Sequence, residues 1–187
     1  MEISSSTTKQ SLLKVGDIIL SRPGTTENVI LLASISSSGV VGIGINCAFE
    51  ALDLQLICDQ QDIWFPTNAP VYQGGRINMN RLYIIHSNDW AGSYTVKLNR
   101  HLSLTTDTSV LRALADGSGP KKFRACAGFY TWPSDSLQKN LDSSWSVVPG
   151  TTKLVFGSGS GTSQWRAGLA GYARTAATDW LANRLTD

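Results

Sequence analysis

Charge of either sign is in short supply here. The 187 residues carry 16 basic and 14 acidic side chains, a formal net charge of +2. A nucleic-acid binder usually shows a basic excess or a basic stripe. This balance supplies neither, and gives no pull toward anionic membranes. Cysteine is scarce too: Cys47, Cys58 and Cys126 are odd in number and have no C-x-x-C spacing. That excludes a disulfide framework and a structural zinc site, and it reads as free thiols in a reducing cytoplasm. No apolar run is long enough to span a bilayer. The first eleven residues are rich in Ser and Thr and lack the apolar core of a secretory signal. Residues 1–14 read as a disordered lead-in and residues 15–187 as one soluble domain. There is no internal repeat and no heptad. The phosphate-loop ending Gly-Lys-Ser/Thr and the Gly-x-Ser-x-Gly elbow are absent.

What is present is a set of short hydrophobic runs. Apolar residues make up 42% of the chain, enough for a core. Ile18-Ile19-Leu20, Val29-Ile30-Leu31-Leu32-Ala33 and Val40-Val41-Gly42-Ile43-Gly44-Ile45 read as strands, separated by Arg22-Pro23-Gly24-Thr25 and by Ser36-Ser37-Ser38-Gly39. Gly42 and Gly44 share one strand face, so something packs closely over it. Residues 48–56 read as a short helix, with Leu52 and Leu56 four apart. Residues 82–86 form a strong strand, and residues 94–98 and 102–104 a weaker pair. Thr105-Thr106-Asp107 opens a helix whose apolar face is Val110, Leu111 and Leu114, stopped at Gly117. Residues 123–132 are a buried strand region. Pro133-Ser134-Asp135 opens another short helix, and residues 145–148 and 153–156 read as two more strands. Gly157-Ser158-Gly159-Ser160-Gly161 reads as a flexible loop. Beyond it Trp165, Leu169, Tyr172, Ala176 and Trp180 make one stripe along a helix, or along two helices broken near Gly168 and Gly171. Many short strands mixed irregularly with few helices give an α+β class.

Several of these segments, in this order, resemble the YqgE/AlgH proteins of bacteria. They are Gly16-Asp17-Ile18-Ile19-Leu20-Ser21-Arg22-Pro23-Gly24, the strand at residues 39–46 ending in Asn46, and Val71-Tyr72-Gln73-Gly74-Gly75-Arg76 followed by Arg81 and residues 82–87. Leu104-Thr105-Thr106-Asp107 with Val110-Leu111, Ala127-Gly128-Phe129-Tyr130-Thr131-Trp132 with Leu137, Gln138 and Trp145, and Gln164-Trp165-Arg166 complete the set. The resemblance runs over residues 15–171. It implies a bent, bifurcated, mostly antiparallel sheet closed into a pseudo-barrel with a few packed helices, and it implies no established reaction. Some family members bear a transcriptional-regulator label. The chain departs from the pattern where Leu32-Ala33-Ser34 replaces a Glu-His pair, where Arg76 follows Gly74-Gly75 in place of Pro, and where Gln138 replaces an acidic residue.

No acid/base pair, metal set or activated nucleophile can be assembled from this text, so no cofactor and no metal is expected. Gly74-Gly75-Arg76 admits two readings: backbone N–H groups with a guanidinium cradling an anion, or a turn needing positive φ. Two histidines occur. His86 has Asp89 nearby and His101 has Asp107, and neither spacing is a ligand set. The candidate ligand or partner residues are Gly74, Gly75, Arg76, Arg81, His86, Tyr130 and Trp132. The aromatics are read either as pocket lining or as core. Three functions stay open: a non-enzymatic binding or regulatory accessory protein of the cytoplasm with a protein or small-molecule partner, a hydrolase or transferase using His86 with Thr105, Thr106 or a cysteine, and a transcription-related nucleic-acid binder.

Overall fold

The computed structural model describes residues 13–184. The expected lead-in lies outside them except for Leu13, which is buried in a core cluster, and Lys14. Ten strands and six helices follow in the order β1 (Asp17–Ser21), β2 (Val29–Ser36), β3 (Gly39–Gly44), β4 (Ala48–Asp53), α1 (Leu54–Asp59), β5 (Pro70–Gln73), β6 (Ile77–Ser87), β7 (Thr95–Lys97) and β8 (Leu102–Thr105). Then come α2 (Ser109–Ala115), β9 (Phe123–Trp132), α3 (Ser134–Lys139), α4 (Leu141–Ser144), β10 (Trp145–Pro149), α5 (Thr152–Phe156) and α6 (Gly161–Arg184).

The strands join in the order β10-β1-β2-β3-β9-β6-β8-β7, all antiparallel. The sheet forks at β9. Residues 130–132 of β9 pair with β3, while residues 125–127 pair in parallel with β5, which carries β4. β6 takes the other edge. The chain therefore has to cross β9 on its way from β5 to β6, and Gly74-Gly75 makes the crossing. Gly74 N–H donates to Ala127 O at 2.8 Å, and Gly74 O accepts from Gly44 N–H at 2.7 Å. A Cβ on Gly75 would collide with the Phe129 carbonyl. Neither glycine has positive φ. Gly128 beneath them does, at 77°. The pair is needed for close approach of two backbones, and the positive-φ turn is not what it supplies.

The expected mixed α+β architecture with a bent, forked sheet is what the chain adopts, strongly curled into a half-barrel. Period-two alternation decides which residue enters which layer. Ile18 and Leu20 of β1, with Ile85 of β6, face the concave interior and meet Leu102, Val155 and Trp165. Their neighbours point the other way. Ile19 packs with Leu32, Leu137 and Leu141 under α3 and α4, and Ile84 packs with Leu54, Val110 and Leu111 under α1 and α2. The ends of the curl meet without pairing as strands. Asn99 Nδ2 donates to Gly16 O at 3.1 Å and to Gly150 O at 3.0 Å, while its Oδ1 accepts from the N–H groups of His101 and Leu102.

Three local expectations are corrected, and one that was left open is decided. Residues 48–53 form a strand, and the helix starts at Leu54, because Asp53 is the cap: its side chain accepts from Leu56 N–H at 2.8 Å. Its buried pair is Leu54 and Cys58, whereas Leu56 is 46% exposed. Residues 153–156 belong to helix α5, capped by Thr151, and are not a strand. Thr105 closes β8, so α2 begins four residues later, at Ser109. Asp107 accepts from Ser109 N–H at its threshold. The helix at the end of the described chain is one continuous element, α6. Gly168 sits against Leu20, Trp165 Nε1 donates to Ser21 O at 2.8 Å, and only the first half of its apolar stripe is buried. Trp180 is 55% exposed. Among the described residues no helix is long and apolar enough to cross a membrane.

Candidate functional site

Residues 78–81 bulge out of β6, because Ile77 pairs with Phe129 and Leu82 with Ala127, so the strand carries extra residues between those two pairs. Asn78 takes φ of 50° to begin the detour. A bulge re-aims side chains. Here it separates two clefts that share Met79 as a common wall.

The first is a groove of about 930 Å³ bordered by Arg76, Gly75, Tyr130, Asn46, Cys47 and Glu27. Asn46 is fixed at its back. Its Oδ1 accepts from Val29 N–H at 3.0 Å, its Nδ2 donates to Glu27 O at 2.7 Å, and its own carbonyl accepts from Gly161 N–H at 2.6 Å. Thr162, in the first turn of α6, donates its hydroxyl to Glu27. The second cleft, of about 490 Å³, lies between the bulge, α1 and the threshold of α2. It is lined by apolar Leu52, Ile57 and Leu82 over the nearly buried Ile84 and Leu111, and by polar Gln60, Asn80, Arg81, Thr106 and Asp107.

The seven expected site residues are thus distributed over five places. Gly75, Arg76 and Tyr130 come together at the first groove, and Arg81 stands at the neighbouring cleft. Gly74 is buried in the crossing, with its N–H engaged by Ala127. Trp132 is packing: its ring lies 6.3 Å from Trp145, edge-on, and 6.0 Å from Tyr130, and it covers the core under α3. His86 is fully buried, flanked by β8 and β9.

His86 is hydrogen-bonded at both nitrogens. A carbonyl can only accept, so the contact of Nδ1 with Ser87 O at 2.8 Å places the proton on Nδ1. Nε2 then accepts from Thr105 Oγ1 at 2.9 Å, Thr105 accepts from Thr95 Oγ1 at 2.7 Å, and Thr95 accepts from Gly92 N–H at 3.0 Å. Trp90 meets the imidazole edge-on at 5.5 Å. Burial holds its pKa below the ordinary imidazole value, against the smaller opposing effects of Ser87 O and the Asp89 charge. The sequence pairing of His86 with Thr105 therefore exists in space, yet neither residue has exposed surface and neither lines either cleft. Cys58 and Cys126 are also buried. Desolvation raises both thiols, Cys126 to about 12, which keeps them protonated and poorly nucleophilic.

One residue escaped the sequence reading. Arg124 lies in β9 and is only 6% exposed. Its guanidinium stacks 4.1 Å above the Tyr72 ring and donates to Ile45 O, to Gln164 Oε1 at 2.9 Å and to Gly159 O at 3.1 Å. It ties the Gly-Ser loop before α6 to the sheet beside the first groove. Burial lowers its pKa from the usual arginine value. The available signal was a charge inside an apolar strand, which is uncommon unless the charge is partnered.

A family model described as DUF179, AlgH-like, matches residues 18–174. A UPF0301 protein of Sphingopyxis alaskensis is 30% identical over 149 residues, covering 75% of this chain and 80% of that protein. A UPF0301 protein of Methylocella silvestris is 30% identical over 169 residues, 81% and 82% of the two chains. Among solved structures, the AlgH protein of Pseudomonas aeruginosa superposes with a TM-score of 0.71 at 24% identity, covering 91% of this chain and 92% of its own. A Corynebacterium diphtheriae protein superposes at 0.65 with 14% identity, covering 84% and 86%. At these identities the two structures speak for the fold alone.

Proposed function

The chain belongs to the AlgH-like family, and from that premise we propose that it is a non-enzymatic binding protein, a regulatory accessory factor of the cytoplasm that holds a small molecule or a partner segment against the bulge of β6. The observation that carries this reading is the pair of open clefts on either side of Met79, with Arg76 on the rim of one and Arg81 on the rim of the other. Concave sites with an apolar lining and a few placed polar groups are where ligands bind. The histidine at the centre of the enzyme reading, by contrast, is withdrawn from solvent, although Cys47 borders one cleft and Thr106 the other. His86 and Thr105 have no exposed surface, which argues against the hydrolase or transferase reading built on them. The net charge of +2 gives nucleic-acid binding little to work with at moderate salt.

A thermal-shift screen over nucleotides, phosphates, metals and short peptides tests the proposal. A ligand present at about 100 times its Kd stabilises the fold by roughly 2.7 kcal/mol, a readable shift. The expected result is a shift from at least one class, reduced in Arg76→Ala or Arg81→Ala. No shift from any class would remove the small-ligand version of the proposal.

A further inference from the structure

His86 has no exposed surface, yet a line of hydroxyls leads from it toward solvent. Its Nδ1–H is engaged by Ser87 O at 2.8 Å, and Nε2 accepts from Thr105 Oγ1 at 2.9 Å. Thr105 is equally buried. Its oxygen accepts in turn from Thr95 Oγ1 at 2.7 Å. Thr95 lies on the edge strand β7, is only half-buried, and accepts from the N–H of exposed Gly92. Each hydroxyl therefore points its proton inward, toward the imidazole. A hydroxyl carries one proton and two lone pairs, so the same line can run the other way.

We propose that His86 is a proton-binding site reached from solvent through Thr95 and Thr105, an acid-sensing device built into the root of β7. A solvent proton is taken up by Thr95 Oγ1, the proton Thr95 held passes to Thr105 Oγ1, and the proton Thr105 held passes to Nε2. Each oxygen gains one O–H bond and loses one, and the imidazole gains an N–H bond and the charge. Nε2–H then donates to Thr105, Thr105 donates to Thr95, and Thr95 donates outward while still accepting from Gly92. Nδ1–H keeps Ser87 O throughout, so no polar group of the line is orphaned. The charged groups about the ring are at the surface. Asp89, held by the Ser87 hydroxyl at 2.6 Å, favours the proton. Lys97 of β7, Lys121 and Lys122 before β9, and Arg112 and Asp116 on α2 and its C-terminal end are exposed. Arg124 of β9 stands opposite Ile85 and so enters the other layer. Burial makes the charge costly, and the site fills only in acid. The proposal does not depend on either cleft.

The test follows the imidazole nitrogens of His86 by NMR in the isotope-labelled full chain, from about pH 7.5 to about pH 4.5, with the backbone amide spectrum as the check on folding. The spectrum of His86→Gln assigns the signals. The expected result is a neutral ring protonated on Nδ1 at the upper end, which becomes imidazolium while the amide spectrum and the exchange protection of the His86 and Thr105 amides stay native. Thr95→Val suits a strand but removes the acceptor that lets the Thr105 hydroxyl turn round. Its midpoint should fall by about one pH unit, a roughly tenfold weaker hold on the proton, and Thr95→Ser should restore the parental midpoint. The proposal is overturned if the ring becomes charged only as the fold or that protection collapses, if the neutral ring carries its proton on Nε2, or if Thr95→Val titrates with the parent. Where Thr95→Val does not fold, the parental titration decides alone: a charged ring in a protected, native fold supports the site, and a charged ring only on collapse removes it.

Discussion

Arg124 is a buried cation whose partners are carbonyl oxygens, an amide and a tyrosine ring. No carboxylate bridges it among the described residues. Its hydrogen bonds reach the residue just after β3, the loop before α6 and α6 itself, so it acts as a three-way tie. Replacing it with Met keeps much of the volume but strands the oxygens of Ile45 and Gln164, whose contacts with it are buried. At ~1–3 kcal/mol for each buried group left unsatisfied, Arg124→Met is expected to cost about 2–4 kcal/mol in urea unfolding, with faster hydrogen exchange at the start of α6. His86 makes a different prediction. Its folded pKa lies below the unfolded value of about 6.5. The unfolded chain therefore takes up the proton first as pH falls. The stability conferred by neutral His86 is fully present above about pH 6.5 and is lost as pH drops toward the folded pKa. Unfolding free energy measured between pH 7.5 and pH 5, in buffer ranges set by these values, should decline in the native protein and decline less in His86→Gln. Equal slopes would show that other groups govern the change.

Elements here obey contacts more than local preference. The Leu52–Leu56 spacing over residues 48–56 reads as helical, yet the helix present, Leu54–Asp59, buries Leu54 and Cys58 instead. Its start could not be placed, because residues 48–53 find a strand partner in β5 about twenty residues onward, and that pairing is invisible to a local window. Five-residue α5 went unrecognised for a related reason. Val155 and Phe156 favour strands, and so short a helix is marginal by itself. It is held by the Thr151 cap and by burial of Leu154 and Val155 against the concave interior. The crossing from β5 to β6 gives the sharpest expectation at this scale. A Cβ on Gly75 meets the Phe129 backbone, which cannot swing aside as a side chain tip would. Gly75→Ala should destabilise by at least the ~1–3 kcal/mol of ordinary overpacking, or abolish folding, as followed by circular dichroism on heating. A variant as stable as the parent would mean that the strands do not cross there.

The molecule as a whole is a curled sheet whose two ends are hydrogen-bonded through the Asn99 side chain. All the hydrogen-bonding positions of the Asn99 amide are in use, two accepting within its own turn and two donating across the seam. Asn99→Ala leaves the carbonyl of Gly150 without that donor and weakens the turn before β8. The expected loss is about 2–4 kcal/mol from stranded polar groups, with exchange protection falling in β1, β8 and β10 together. Loss of protection confined to β8 would show that the seam does not hold the curl. Asn99→Asp should be at least as damaging, because a carboxylate would face two carbonyl oxygens.

The amino-acid sequence by itself determined the class, most of the strands, the ordered family motifs, and the absence of any written-out metal set or nucleophile elbow, because periodicity and motif spacing are local properties of a chain. It pointed to Gly75, Arg76, Arg81 and Tyr130 as residues of one neighbourhood, and to His86 and Trp132 as members of it. Only the tertiary structure decided that a bulge in β6 divides that neighbourhood into two clefts, and that His86 turns inward to Thr105 while Trp132 serves the core. It alone brought Arg124 beneath the Gly-Ser loop. Burial and the meeting of groups far apart along the chain depend on which strands pair, and at β9, which takes β3, β5 and β6 as partners, that choice is settled by long-range contacts.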